Sequence, residues 1–510
     1  MKKLIRLFAL FAFFPLILDA QPGYDIKITL KGGKDTAFYL IKYLFDQQYM
    51  ADTAKFVKNG EMQFKGKTSL EKGMYALVGP GMVKYIDFFV NETERFSITA
   101  DANDVTNTIK SSSPENELMF SYARFMSGKE KEYRKLVEQS KGKSKSDSLA
   151  FTKEKQTALN ADVRKFNESF MEKHKGSFVR DFLNLRSEKY LKEIPKAANG
   201  RPDSVYQYFY YKDHYLDGIN FKDDRIIRVP FFADRIKKFI NEIIVQQPDT
   251  INKELDKIFA KCNPGTLIYN TLLGHFAYKF EQNKVMTFDS RGKTTTFEKV
   301  FVHLADTYIT NGKAKGVYDE ETAAKIKGKV DIIRNLLPES PVSELFMIDT
   351  IYGRKVLKMG FDTARSSKSL TDLYQKNIGK LTPLFKTLYE VKAKYTILAF
   401  WAADCDHCKK EMPQLDSNLK ELKGTVDVKV FAVQTKDELY DEWRKFIIEK
   451  KLDFIHVFDP VHLNNIKEKF DIDSTPVIYL LDKDKKIKGK KLSADQVIEV
   501  IKNLESIGKS

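Results

Sequence analysis

The chain has 510 residues, 42% hydrophobic, 13% aromatic and 31% charged, which is too long for one core and too apolar for disorder. Its net charge of +16 comes from 86 basic residues interleaved with 70 acidic ones along the whole length. With no zinc-finger spacing, phosphate loop or RNA-binding signature, that pattern argues for solvated faces and against a nucleic-acid partner.

Residues 1–20 read as a secretory signal peptide. Lys2, Lys3 and Arg6 precede an apolar stretch from Leu7 to Leu18, and Leu18-Asp19-Ala20 offers a small residue at a cleavage point before Gln21. The apolar part is too short to span a bilayer, and no cysteine stands at the cut to take a lipid. An uncleaved N-terminal anchor is the alternative. No later segment approaches the ~20 apolar residues of a membrane helix. The expectation is a protein that works outside the cytoplasm.

From Tyr24 to about Asp104 the apolar period is two: Ile26, Ile28 and Leu30, then Phe38 and Leu40, Met62 and Phe64, Phe96 and Ile98. Asn59-Gly60 is a hairpin signal, because both residues tolerate positive φ. Residues 21–105 are therefore expected to form a β-rich domain, a small sandwich or open barrel. Nothing in it clusters titratable groups, which suits a binding or packing module.

Residues 110–337 show helical spacing, with Phe232, Ile236, Phe239, Ile240 and Ile243 on one face. Gln139–Ser148 (QSKGKSKSDS) reads as a polar loop. Ile251, Leu255, Ile258 and Cys262 share an apolar stripe, where a free cysteine behaves as a small hydrophobe. Tyr206–Tyr215 (YQYFYYKDHY) reads as a helical segment whose aromatics face two neighbours, or as a stacking groove for peptide or sugar.

Residues 338–510 alternate as strand and helix. Thr396–Trp401 (TILAFW) is a buried strand by its continuous apolar run, and Met412, Leu415, Leu419 and Leu422 mark the helix after it. Strands over Val428–Val433 and Val477–Leu481 alternate with helices over Asp441–Lys450 and Ala494–Leu504, which predicts a largely parallel sheet covered on both sides.

Cys405 and Cys408 lie where that first strand gives way to a helix. At a helix N-terminus the first sulfur faces unpaired N–H groups and the positive end of the dipole, so its thiolate is stabilised and it becomes the attacking thiol. Cys408, one turn on, can resolve the mixed disulfide. A zinc site needs further ligands that do not follow at ligand spacing, and haem attachment needs a histidine where Lys409 stands. A permanent disulfide here would staple almost no chain. Neither metal nor organic cofactor is expected.

The strand TILAFWAADC, the CxxC pair and Pro413 resemble the thioredoxin fold, and CKKEMPQL resembles its exported, TlpA-like branch. Further on, Ser474–Ile487 (STPVIYLLDKDKKI) matches the family's cis-proline loop and the hairpin after it. The resemblance covers about one third of the chain. It implies a thiol–disulfide oxidoreductase of the periplasm or cell envelope of a gram-negative bacterium. Cys405 and Cys408 would be catalytic, with His407, Asp406, Trp401, Thr475 and Pro476 in support. It places Pro476 against the sulfurs and the Thr475 backbone beside an extended client strand. The implied partners are disulfide-containing envelope proteins and a membrane thiol electron donor or acceptor. The front of the chain is similar to β-rich and helical modules that precede redoxin domains in envelope proteins.

Three departures matter. Ala399 stands where cytoplasmic thioredoxins keep a buried aspartate, which leaves the base for Cys408 unassigned; Asp437 and Glu438 are weak candidates. Asp404 replaces the common tryptophan before the first cysteine. Asp406-His407 replaces Gly-Pro inside the motif: a protonated His407 favours the thiolate, and Asp404 and Asp406 oppose it, each by roughly one pKa unit. The direction of electron flow stays open. Two other functions stay open as well: an envelope binding or assembly protein with an accessory redoxin domain, and a thiol peroxidase. For the latter, FWAADC lacks the family's upstream threonine and proline.

Overall fold

A computed structural model describes residues 23–33, 36–54, 57–140, 145–191, 193–284, 286–288, 293–314 and 316–507; the expected signal peptide lies outside them. The chain divides into two compact units, Met1–Ile243 and Ile244–Ser510. The division falls inside the helical stretch.

In the first unit, strand Tyr24–Lys31 buries Tyr24, Ile26, Ile28 and Leu30 and turns the residues between them outward, as a pleat of period two requires. It lies in a five-stranded sheet in the order Val57–Lys58, Glu61–Gly66, Tyr24–Lys31, Arg95–Asp101, Lys110–Ser111. A four-stranded sheet runs Gln47–Ala54, Phe38–Leu44, Gly73–Val78, Lys84–Val90. Phe88 of the second sheet meets Phe96 of the first edge-on at 5.8 Å, as in a sandwich core. Asn59 and Gly60 form the two-residue turn between Lys58 and Glu61, with φ of 52° and 74°.

Helices Pro114–Ser140 and Lys145–Lys173 pack through Phe125 on Phe166, stacked at 3.6 Å, and Tyr122 on Phe170 at 5.2 Å. The second helix starts inside the stretch expected as a polar loop, because a polar run is as compatible with a helix as with a loop. The stripe Phe232, Ile236, Phe239, Ile240 and Ile243 is buried in helix Pro230–Lys238 and the turn after it.

The aromatic stretch forms helix Ser204–His214. Tyr211 stacks on Tyr190 at 5.4 Å, and Tyr215 on Phe239 at 5.9 Å. The phenols of Tyr190 and Tyr211 and the ammonium of Lys238 all donate to the Glu188 carboxylate.

The second unit opens with helices Pro248–Lys261, Leu267–Gln282, Glu298–Leu304 and Glu320–Asn335. Cys262 is buried at the end of the first, its thiol donating to the Ile258 carbonyl at 3.4 Å, so it fills core. A seven-stranded sheet follows in the order Phe385–Thr387, Phe346–Asp349, Ile455–Phe458, Val428–Gln434, Tyr395–Trp401, Val477–Asp482, Ile487–Lys490. The sheet is mixed, not largely parallel. Only Tyr395–Trp401 with Val428–Gln434, and that strand with Ile455–Phe458, pair in parallel. The chain between Asp482 and Ile487 is too short for a crossover and folds back as a hairpin. Between Phe458 and Val477 there is a single helical turn, Ile466–Lys469, in place of a crossover helix, and the strand after it returns antiparallel to Tyr395–Trp401.

The continuous apolar run of the central strand is explained by its two buried faces. Ile397, Ala399 and Trp401 belong to one core, with Cys408, Met412 and Leu415 of helix Asp406–Leu419. Leu398 and Phe400 belong to the other. The edge strand Ile487–Lys490 is tied to helix Glu298–Leu304 by an ion pair between Lys490 and Glu298, 4% and 1% exposed. Among the described residues, no helix is long and apolar enough to cross a membrane.

Candidate active site

The central strand ends at Trp401, and four residues later Cys405 caps helix Asp406–Leu419. Its backbone is extended (φ −86°, ψ 117°), which swings the side chain back over the first turn. There the sulfur accepts the Cys408 N–H at 3.3 Å. The thiol itself donates to the Thr475 carbonyl at 3.2 Å. Thr475-Pro476 is a cis peptide, and the strand that follows it, Val477–Asp482, pairs with the central strand. Pro413 lies inside the cysteine helix.

The two thiols are both free, and their surroundings differ. Cys408 is fully buried; burial, reinforced by its hydrogen bond with Cys405, pushes its thiol up to about 12. Cys405 is part-exposed. Its partial burial alone would raise it. Hydrogen bonds from the Cys408 and Thr475 side chains, and from the backbone N–H groups of Cys408 and His407, outweigh that and hold it below the ordinary thiol range. One sulfur is thus prepared to be a thiolate and the other to keep its proton.

The supporting residues behave unequally. Asp406 is exposed and pairs with Lys409 at 3.4 Å. His407 is exposed too; it contributes its backbone N–H, and its ring has no hydrogen-bond or ion-pair partner among the described residues. Trp401 is a core residue, fully buried against Phe446 at 5.7 Å, and its indole N–H has no hydrogen-bond partner among the described residues. Its carbonyl accepts the Thr435 N–H at 2.9 Å. Of the two acids considered for Cys408, Asp437 is engaged elsewhere: His462, 3.4 Å away, holds its carboxyl below the usual range. Ala399 is buried beside Ala432, with no ionisable group on either strand at that level.

Sequence reading missed Lys436, whose ammonium lies 2.5 Å from the Asp404 carboxylate. The signal was present in outline. In a parallel pair joined by a helix, residues just past the second strand stand beside those just past the first, but only the register Trp401–Gln434 identifies Lys436 as the neighbour. Among the described residues, no group of three or more histidine, cysteine or acidic side chains could hold a metal ion.

Comparison with known families fits this architecture. Residues 385–490 match the AhpC/TSA family, residues 24–119 the domain of unknown function DUF4369, and residues 141–318 the domain of unknown function DUF5106. The C-terminal part of the chain is therefore a thioredoxin-like domain of AhpC/TSA type, carried behind DUF4369 and DUF5106 modules. Among solved structures, the chain is similar to a domain of a possible thiol-disulfide isomerase from Cytophaga hutchinsonii, at 28% identity over 34% of this chain and 97% of that one, with a TM-score of 0.25. A thioredoxin-like protein from Bacteroides caccae matches at 15% identity over 61% of this chain and 97% of that one, with a TM-score of 0.40. The thioredoxin domain of a thiol-disulfide oxidoreductase from Bacteroides vulgatus matches at 22% identity over 33% and 96%, with a TM-score of 0.25. No curated protein matches.

Proposed function

We propose that the protein is an exported thiol–disulfide oxidoreductase that reduces or isomerises disulfides of envelope proteins through Cys405 and Cys408. The observation that carries this reading is the unequal pair: a part-exposed Cys405 sulfur held by N–H donors at a helix start, above a buried Cys408 thiol. The Cys405 thiolate attacks one sulfur of the client disulfide, forming a mixed disulfide and expelling the first client thiolate. Cys408 gives up its proton and attacks the Cys405 sulfur, releasing the second client thiol and closing the Cys405–Cys408 disulfide. Two electrons and two protons pass to the client, and an outside dithiol must return them. The Thr475 carbonyl, freed when Cys405 ionises, is placed to accept a backbone N–H from an extended client segment.

Export is supported by the basic and apolar pattern of residues 1–20. The test is turnover of insulin disulfides with an added dithiol donor. The wild type should reduce insulin and Cys405→Ser should not, with its circular dichroism unchanged; equal turnover by the variant would refute the assignment. Equilibration against glutathione then gives direction. A potential near ~−270 mV marks a reductase, and one between about −180 and −120 mV an isomerase or oxidase.

A further inference from the structure

We infer that Lys436 is a positioning residue for the nucleophile: by holding Asp404 in an ion pair beside the motif, it cancels the acid's opposition to the Cys405 thiolate. This deepens the redox reading above and rests on it.

The placement comes from the sheet. Gln434 is in register with Trp401, and both the N–H and the hydroxyl of Thr435 donate to the Trp401 carbonyl, at 2.9 and 3.2 Å. That last rung fixes the chain at Thr435, so the next residue reaches the Ala402–Asp404 turn. Lys436 meets Asp404 there, one residue from the nucleophile, and its ammonium lies within the field of the Cys405 sulfur.

Stability does not account for the pair. Its side chains are 45% and 47% exposed, and exposed ion pairs contribute about 0–1 kcal/mol. Its position has a consequence instead. A bare carboxylate next to Cys405 disfavours a second negative charge on the sulfur, and an ammonium on that carboxylate removes most of the penalty. Among the other charges around the site, Lys409 also acts on Asp404, after Lys436. On the cysteine helix, Asp406 is offset by Lys409 at 3.4 Å, and His407 is exposed. Beyond Lys436, Glu438 acts on the lysine itself. The cis-proline loop presents the Thr475 carbonyl. Both aspartates of the DCDHC motif therefore carry a lysine, and the backbone N–H groups act on the sulfur with little opposition.

The experiment is the pH profile of Cys405 alkylation by iodoacetamide in the full chain, at low and at 1 M salt. Cys405 is read separately by peptide mapping. Lys436→Gln should slow alkylation at neutral pH by roughly 3- to 10-fold and move the profile to higher pH. Asp404→Asn should move it the other way, because Lys436 is then an uncompensated cation. The double variant should lie near the wild type, Lys436→Arg should restore the profile, and 1 M salt should shrink both single effects. A profile unchanged in Lys436→Gln, or two single variants shifted in the same direction, overturns the proposal. Alkylation reads the thiol without any disulfide substrate. Failure to reduce insulin with the sign-reversed profiles intact would thus sink the enzymatic reading and leave this one standing.

Discussion

Two clusters of ionisable groups, one in each compact unit, look alike at first. In the second unit, Cys405, Cys408, Asp404 and Lys436 converge at the start of a helix; in the first, Glu188, Tyr190, Tyr211 and Lys238 converge on one carboxylate. Both contain groups shifted far from their ordinary titration range. The difference is in what is left over. Glu188 takes two phenols and an ammonium, which fill most of the roughly four acceptor sites a carboxylate offers. Cys405 accepts from N–H groups at the helix start and donates to the Thr475 carbonyl, is part-exposed, and sits above a thiol that keeps its proton. A shifted pKa accompanies packing as readily as chemistry; an accessible nucleophilic atom is what separates the two.

The strongest way to break that comparison is to exchange the consequences. Cys405→Ser is expected to remove all insulin turnover, and Cys408→Ser to accumulate a mixed disulfide detectable on a non-reducing gel. Glu188→Gln should leave turnover at the wild-type level. Loss of turnover in Glu188→Gln, with the fold intact, would give the first unit a part in the chemistry that its internally hydrogen-bonded cluster does not suggest.

A smaller effect concerns how the thioredoxin-like domain is held. The Lys490–Glu298 pair is buried on both sides, so removing one partner leaves a charge in the core: Lys490→Met should destabilise by about 3–5 kcal/mol. The double variant Lys490→Met, Glu298→Leu should recover most of that, since a buried pair and an apolar substitute are nearly equivalent. Both tryptophans, Trp401 and Trp443, lie in this domain, so fluorescence during urea unfolding reports it alone. Equal losses in the single and double variants would show that packing, and not the uncompensated charge, sets the effect.

The candidate site was legible because its elements are local in sequence. Strand, cap and CxxC lie within fourteen residues, and period and spacing alone place Cys405 at the helix start. What escaped was set by partners distant in sequence. The mixed character of the sheet depends on how Val477–Asp482 re-enters, and the compensation of Asp404 depends on a residue 32 positions away. The buried pair Lys490–Glu298 joins two segments that no periodicity connects. The aromatic stretch was legible as a helix, but Glu188, which collects its phenols, lies outside it. His407 was expected to act through its ring; that ring is exposed with no hydrogen-bond or ion-pair partner among the described residues, and its backbone N–H favours the Cys405 thiolate.

The two thiols give a pH test of intermediate size. The Cys408 thiol is raised from its ordinary 9.0 to about 12, so the reduced protein holds that proton more tightly than the unfolded chain does. The stabilisation is complete below pH 9 and is lost as pH rises toward about 12. Urea midpoints for the reduced wild type should fall more steeply over that window than those for Cys408→Ala. Parallel curves would mean that Cys408 is no more averse to ionising in the fold than out of it.

The Glu188 cluster supplies the smallest effect, with the opposite sign. Partial burial would raise this carboxyl, but hydrogen bonds from Tyr190, Lys238 and Tyr211 overcome it and bring it to about 2. A depressed carboxyl stabilises the fold fully above its ordinary value of 4.5, and the contribution disappears as pH falls through about 2. Much of the group is near solvent, so Glu188→Gln should cost only about 1 kcal/mol at neutral pH, because an amide oxygen still accepts from the phenols. Below pH 2 the wild type loses the same contribution and the two proteins should converge. The first unit carries none of the tryptophans, so far-UV circular dichroism of the full chain, followed against pH, is the measurement. A difference that persists below pH 2 would mean that the substitution disturbs the Tyr190–Tyr211 stacking, and that the carboxylate's charge is not what holds the cluster together.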